Sequence, residues 1–367
     1  MKQFRVIISG GGTGGHIFPA LAIAKALEKK VSNIEILFVG ASGKMEMSKI
    51  PAEGYKIKGL WISGLQRRIT IKNLLFPFKV ISSLLKARRI IKKFKPDIAI
   101  GTGGYASGPL LYVAAKKNIP TLVQEQNSYP GITNKVLSKV VDKVCVAYDN
   151  MEQFFPKNKI IFTGNPIRQD VLEFASKKQL GISHFNLEEN KKTVLVIGGS
   201  LGARTINEAI DENISFFVEN NLNLIWQTGI SYQKKAEKSV KEKAVKGINA
   251  YTFIKEMDKA YGAADIIISR AGAIAISELC CIAKPTILIP SPNVSEDHQT
   301  KNAQAVVNKK AALLVKDNEA GSKLVNCLRE LYDDTVMQKE LIRNIKNLAV
   351  MDAADKIANE ALILSKK

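Results

Sequence analysis

The chain has 367 residues, 46% hydrophobic and 24% charged, long enough for two domains and too ordinary in composition for a disordered or fibrous protein. Lys and Arg number 54 against 34 Asp and Glu; the formal charge of +20 points to nucleic acid, an anionic membrane face or phosphorylated substrates, unless it reflects only a lysine-rich proteome. Four cysteines without Cys-x-x-Cys spacing and three isolated histidines, His16, His184 and His298, argue against a disulfide framework and a histidine-built metal site.

The apolar run Phe4 to Ile8 predicts a buried parallel strand, entered directly from the N-terminus with no signal peptide ahead of it. Gly10-Gly11-Gly12-Thr13-Gly14-Gly15-His16 follows, and after Pro19 the pattern Leu21, Ile23, Ala24, Leu27 predicts a helix. Such a loop lets backbone N–H groups crowd an anion, and the helix N-terminus adds partial positive charge. Gly10, Gly12 and Gly15 match a dinucleotide fingerprint, but the acid expected at the end of the second strand is missing, since Glu35 stands at its beginning. That argues against a nicotinamide or flavin enzyme. His16, where loop meets helix, reads either as a general base or as a residue that caps the helix or bonds the loop.

Strands are expected at Ile36–Val39, Ile98–Ile100, Thr121–Val123, Lys143–Ala147 and Ile160–Thr163, with helices at Lys79–Phe94, Pro109–Lys117 and Thr133–Val140 between them. This alternation predicts a parallel sheet covered on both faces. The loop from Gly101 to Pro109 lacks the lysine of a P-loop, but its glycines admit a bulky substrate. Glu125-Gln126-Asn127 falls at the strand edge where α/β ligands bind, as polar contacts or as a turn held by Asn127. Gly164-Asn165-Pro166-Ile167-Arg168 breaks the pattern, and the domain boundary is expected near Gly164.

Beyond a lysine-rich stretch the alternation repeats, with strands at Val194–Ile197, Leu222–Gln227, Ala250–Phe253, Ile266–Ser269, Thr286–Ile289 and Ala312–Val315. Helices are expected at Tyr232–Lys246, Ala275–Cys281 and Ala353–Leu364. A second glycine loop, Gly198 to Arg204, opens this half. In Arg270 to Glu278, free N–H groups near Ala273 to Ala275 suit a phosphate, and Glu278 reads as a ribose ligand or a solvated first-turn acid. The run Asp297 to Asn302 offers hydrogen bonds to a sugar.

In order, the segments GGGTGGHIFPAL, GTGGYASGP, EQNSYPGITNK, GNPIR, GGSLGAR, RAGAIAISE and DHQTKNA closely resemble the MurG family, within glycosyltransferase family 28, across essentially the whole chain. The resemblance implies an α/β, GT-B fold: two Rossmann-like domains whose parallel sheets face a central cleft. Residues 1–164 would take the acceptor and the membrane, 165–345 the donor, and 346–367 would form a helix packing back toward the N-terminal domain. The implied reaction is an inverting, metal-independent and cofactor-free transfer of N-acetylglucosamine from UDP-N-acetylglucosamine. Its acceptor is the C4 hydroxyl of lipid I, undecaprenyl-pyrophosphoryl-MurNAc-pentapeptide, and its product is lipid II for peptidoglycan. His16 is the first candidate for the general base and Glu125 the second.

Carried across, the resemblance assigns Thr13, Gly14 and Gly15 to the reacting region, and Asn127, Arg168 and Ser200 to the donor, the last two near its diphosphate. Ile254 would meet uracil through its backbone, Ala273, Ile274, Ala275, Ile276 and Ser277 would form the phosphate helix, Glu278 would take the ribose hydroxyls, and Gln299 the sugar. The segment Gly43 to Met47 lacks the arginine often found in that region of the family. A related transferase acting on another lipid acceptor, and a non-catalytic membrane-binding protein, are the alternative readings.

No acidic residue lies between Glu53 and Asp97, an interval holding Arg67, Arg68, Lys72, Lys79, Lys86, Arg88, Arg89, Lys92, Lys93 and Lys95 with Leu74, Leu75, Phe76, Phe78 and Val80 among them. Basic residues around apolar ones suit an anionic cytoplasmic leaflet, or a core-facing stripe with a solvated basic face. No nucleic-acid recognition motif appears, and no apolar run approaches the ~20 residues of a membrane span. A peripheral location on the cytoplasmic face of the membrane is therefore expected, with cell-wall synthesis proteins as further partners.

Overall fold

Two all-parallel sheets organise the chain, one in each of two compact units. The structure, a computed structural model, describes residues 3–64, 75–199, 201–243 and 245–366. One unit comprises the residues up to Ile167 together with those from Asp352 onward; the other runs from Arg168 to Met351.

The first sheet contains β1 (Phe4–Ser9), β2 (Ile34–Ala41), β3 (Lys56–Leu60), β4 (Ile98–Gly101), β5 (Thr121–Glu125), β6 (Lys143–Val146) and β7 (Ile160–Phe162). Their order is β3-β2-β1-β4-β5-β6-β7. β1 pairs on one side with β2 (Phe4 opposite Ile34) and on the other with β4 (Val6 opposite Ile98). The strand order therefore reverses beside β1, and the loops leaving β1 and β4 open at the point where doubly wound sheets bind ligands. Alternation along β1 feeds both faces: Val6 and Ile8 meet Ile17, Ala20 and Ala24, while Ile7 meets Val39, Val123, Ala87 and Ile91. The helix Ala353–Ser365 joins the first face through Ala354, Ile357, Ala358, Ala361 and Leu364.

The helix after β1 runs from Gly14 to Lys30, starting ahead of the expected position, with Pro19 inside it. Proline has no N–H to give the carbonyl of Gly15, and a residue without a side chain stands at that turn, which eases the ring's fit. β3 and the short helix Glu46–Ala52 went unread in the sequence. β3 is an edge strand with Lys56 and Lys58 exposed, so its alternation is basic rather than apolar.

The second sheet contains β8 (Thr193–Ile197), β9 (Asn223–Gln227), β10 (Ile248–Tyr251), β11 (Ile266–Ser269), β12 (Thr286–Leu288) and β13 (Leu313–Leu314), in the order β10-β9-β8-β11-β12-β13. The reversal again falls beside the first strand, between β8 and β11. Val194, Val196 and Trp226 fill one face; Leu195, Ile225 and Ile267 fill the other.

Candidate functional site

In the first unit, the loops after β1, β4 and β5 lock together through buried polar groups. Glu46 is fully buried and accepts from Gly12 N–H (2.8 Å) and Ala41 N–H (2.9 Å). The N–H of Gly12 is thus committed to the protein's own carboxylate and is not among the groups this loop has for an outside anion. A Cβ on Gly11 would collide with that carboxylate, and one on Gly104 would strike the Gly11 carbonyl, so these glycines serve loop-on-loop packing. Gly15 is different: its Cβ would meet only Thr13 Oγ1, at an ordinary 3.6 Å. Thr13 is the N-cap residue and exposed, and Gly14 lies against the Phe18 ring.

His16 Nδ1 lies 2.8 Å from the Thr102 carbonyl oxygen and 3.1 Å from Gln126 Oε1. A carbonyl can only accept, so Nδ1 carries the proton in this contact, and Nε2 is the nitrogen that would bear the lone pair of a neutral ring. His16 therefore bonds the loop and, when neutral, keeps a lone pair for chemistry. Behind it runs an amide chain: Gln126 Nε2 donates to Thr102 O (2.6 Å), Gln124 Nε2 to Asn165 Oδ1 (2.8 Å), and Asn165 Nδ2 to Gln126 O (3.0 Å). Glu125 is buried with both oxygens occupied. Oε1 accepts from Asn127 N and Nδ2 (3.0 Å each), and Oε2 from Asn134 Nδ2 (2.9 Å) and Gly131 N (3.3 Å). That carboxylate organises the turn bearing Asn127, and its lone pairs are not placed to receive a substrate proton.

In the second unit, the helix Ala273–Ile282 follows β11 with an extended Gly272 at its N-cap and no side chain capping it. The first-turn N–H groups of Ala273, Ile274 and Ala275 are the unpaired donors every helix start leaves. Ile276 turns into the core, and the Ser277 hydroxyl donates to Ala273 O (3.0 Å) instead of pointing outward. Glu278, buried, sits between two partners: Tyr261 O–H donates to Oε2 (3.0 Å), and Arg168 Nε lies 3.5 Å from Oε1. Burial pushes the Glu278 carboxyl above the ordinary range, opposed by the Arg168 charge and the Tyr261 bond; nearby Asp170 adds to the rise. Burial and the facing carboxylate hold the Tyr261 phenol well above its usual value.

Around this helix the neighbouring loops are braced from within. Gln227 donates Nε2 to Gly199 O (3.0 Å) and accepts the Ile254 N–H at Oε1 (2.9 Å). The expected backbone contact of Ile254 is thereby narrowed to its carbonyl. Arg270 Nη1 bonds Ile289 O (3.1 Å) and Asp317 Oδ1 (2.5 Å), tying the β12 exit to the helix bearing Thr205. Gln299 Oε1 accepts from Ser291 N (2.8 Å), which leaves the amide nitrogen as the atom the expected sugar contact would use. Ser200, in the glycine loop, lies outside the described residues.

Each unit thus gathers its own set: Thr13, Gly14, Gly15 and His16 with the Glu125–Asn127 turn in one, Arg168, Glu278 and the 273–277 turn in the other. Glu46, Gln227 and Tyr261 went unread, and Thr102 and Gln126 were read only as members of their loops, because the partners that define them are distant in sequence. Among the described residues no group of three or more His, Cys, Asp or Glu is arranged to hold a metal ion.

The helix Phe76–Phe94 resolves the basic stretch. Ser83, Ala87 and Ile91 form its buried stripe, and Val80 packs half-buried against the core. Phe78, Ile81 and Leu85 are 65%, 56% and 53% exposed and line one surface groove with Lys86, Arg89 and Lys93. Arg67, Arg68, Lys72 and Leu74 lie outside the described residues. No helix among the described residues is long and apolar enough to cross a membrane.

Comparison with known proteins identifies the family. The glycosyltransferase family 28 N-terminal domain model matches residues 6–146, and the C-terminal domain model residues 193–357. The UDP-N-acetylglucosamine–N-acetylmuramyl-(pentapeptide) pyrophosphoryl-undecaprenol N-acetylglucosamine transferase of Flavobacterium psychrophilum is 53% identical over 99% of this chain and 98% of its own length. The protein of the same name from Parabacteroides distasonis is 51% identical over the full length of both. The crystal structure of Acinetobacter baumannii MurG superposes with a TM-score of 0.79 at 26% identity, covering 99% of this chain and all of that one. A UDP-GlcNAc 2-epimerase from Neisseria meningitidis shares the fold at 15% identity and a TM-score of 0.68. With two Rossmann-like units of the GT-B class and both family domains matched in order, this chain belongs to glycosyltransferase family 28.

Proposed function

We propose that this chain transfers N-acetylglucosamine from UDP-N-acetylglucosamine to the C4 hydroxyl of lipid I, forming lipid II. The observation that carries the reading is the full-length likeness, at 51–53% identity, to relatives named for that transfer. The local geometry supports each half of it. The second unit supplies the donor site: the 273–277 helix start for the diphosphate, Glu278 for the ribose hydroxyls, Arg168 beside them, the Ile254 carbonyl for uracil and Gln299 for the sugar. The first unit supplies the acceptor loop, with Thr13, Gly14 and Gly15 leading into His16.

His16 is the base of choice, because Thr102 holds its Nδ1–H and leaves Nε2 to accept, whereas the Glu125 oxygens are taken. Nε2 removes the proton from the acceptor hydroxyl, its oxygen bonds to C1 of the donor sugar from the opposite face, and the C1–O bond to diphosphate breaks. The electron pair leaves with UDP, where N–H dipoles and the Arg168 guanidinium meet the growing charge. Exposed apolar residues on the 76–94 helix, flanked by lysine and arginine, suit docking on an anionic cytoplasmic membrane surface, where the lipid acceptor resides.

The test is turnover of UDP-N-acetylglucosamine with a short-chain lipid I analogue, following UDP release and disaccharide product, first with EDTA and then with magnesium. Product in both is expected, and His16→Ala should lower kcat by about 10²–10⁴-fold with donor affinity unchanged. Donor binding without product under either condition would overturn the acceptor assignment; comparable losses in kcat and affinity would make His16 structural.

A further inference from the structure

We infer that Tyr261 is a positioning residue for the donor nucleoside: its phenol O–H, bonded to Glu278 from the core side, sets the carboxylate in the orientation that reads the ribose hydroxyls. The inference rests on the donor reading above and deepens it. Glu278 has two anchors of opposite character. Arg168 reaches Oε1 from the surface, with its side chain 33% exposed and Asp170 also within 4.0 Å. Tyr261 reaches Oε2 from inside, with its ring buried.

The two anchors are set by one packing contact. Tyr261 lies in the helix Met257–Ala263, which packs against the 3₁₀ helix Asp170–Lys177 that follows Arg168. Gly262 permits the approach, since a Cβ there would come within 2.8 Å of Phe174 O and 2.9 Å of the Lys177 carbonyl carbon. Each carboxylate oxygen therefore has one protein donor and retains a lone pair, and the two remaining lone pairs match the two hydroxyls of a ribose. Arg168 is free to turn toward a bound diphosphate, because Tyr261 alone can keep the carboxylate in place. A buried phenol has no such freedom, and without its partner it would be an unsatisfied donor in the core. The groups facing Glu278 are Tyr261 from the 257–263 helix, Arg168 and Asp170 from the preceding segment, and Cys281 from its own helix.

The experiment compares UDP and 2′-deoxy-UDP binding by calorimetry in the native protein, Tyr261→Phe, Glu278→Gln and the double variant, alongside Tm. Tyr261→Phe keeps the ring and removes one oxygen. It should weaken UDP by about tenfold or more, as for loss of a hydrogen bond to a charged group, while 2′-deoxy-UDP, which keeps only the 3′ hydroxyl for the carboxylate, loses distinctly less. The double variant should discriminate no less than Glu278→Gln alone. Equal losses for both nucleotides in Tyr261→Phe would assign Tyr261 to packing only, and native discrimination would remove it from the site. If Glu278→Gln itself kept the native preference for UDP, the ribose role of Glu278 would fall and this inference with it. Loss of preference in Glu278→Gln but not in Tyr261→Phe would overturn the inference alone.

Discussion

At the scale of single residues, the glycines of the first loop separate into those the fold needs and one it does not. Gly11 yields space to the Glu46 carboxylate, and Gly104, at φ +85°, yields it to the Gly11 carbonyl. Gly15 has helical backbone and room for a methyl group. Gly15→Ala should therefore fold with unchanged or slightly raised stability, by up to about 1 kcal/mol, since alanine is the better helix former. If the acceptor approaches this turn as closely as proposed, kcat/KM should nevertheless fall by roughly tenfold, about 1.4 kcal/mol. Steady-state kinetics beside a thermal melt decides it: a stable variant with native kcat/KM would place the substrate elsewhere. The sequence displays these glycines as a single run and cannot sort them, because the carboxylate that Gly11 and Gly12 meet comes from Glu46, 34 or more residues away. Glu46 and Tyr261 escaped notice for the same reason: a lone acid in a short helix and a tyrosine among alanines acquire their roles only through contact.

At the scale of elements, several helices went unread, Ala320–Asp333 and Thr335–Lys346 among them, but most strands were legible because central parallel strands are continuous apolar runs and the loops between them carry Gly and Pro. β3 was not, as lysines occupy its exposed alternate positions. One regularity present in the sequence is explained only by the pairing. Asp97 precedes β4 and Asp265 precedes β11, each one residue ahead of its strand. Asp97 Oδ2 accepts from Arg5 N at 2.8 Å, and Asp265 Oδ2 accepts from Thr193 N at 2.8 Å, while each Asp N–H returns a bond of 2.8 Å to the same residue's carbonyl. The same clamp starts the central strand pair of both sheets. Removing the acceptor strands a part-buried N–H, so Asp265→Ala should cost about 1.5–3 kcal/mol, the loss of a hydrogen bond to a charged group. For a unit of this size that lowers Tm by several degrees. Asp265→Asn keeps an oxygen acceptor and should recover most of it. Differential scanning calorimetry with donor KM as control reads the effect; a changed donor KM at native stability would contradict the purely architectural role.

At the scale of the whole molecule, a formal charge of +20 gives long-range attraction to any anionic surface, but it does not say which face docks. The 76–94 helix is the face the proposal assigns to it. Its inward stripe is Ser83, Ala87 and Ile91, so Phe78, Ile81 and Leu85 are not core residues seen edge-on; they project from the other side between Lys86, Arg89 and Lys93. The two contributions separate by their response to salt. Attraction by basic residues near a charged leaflet, ~1 kcal/mol each, weakens as the Debye length shrinks from ~8 Å at 0.15 M to ~3 Å at 1 M, whereas apolar burial persists. Binding to vesicles containing anionic lipid should therefore fall with salt to a residual level. Replacing Lys86, Arg89 and Lys93 together with Glu should lower binding at 0.15 M by at least about a hundredfold while leaving UDP affinity intact, since the proposal assigns the donor to the other unit. Replacing Phe78, Ile81 and Leu85 together with Ser should remove the residual binding at 1 M and leave part of the salt-sensitive binding. Equal affinity for neutral and anionic vesicles would refute the electrostatic half of this account. If the serine variant bound as well as the native chain at 1 M salt, the 76–94 helix would not be the surface that meets the membrane.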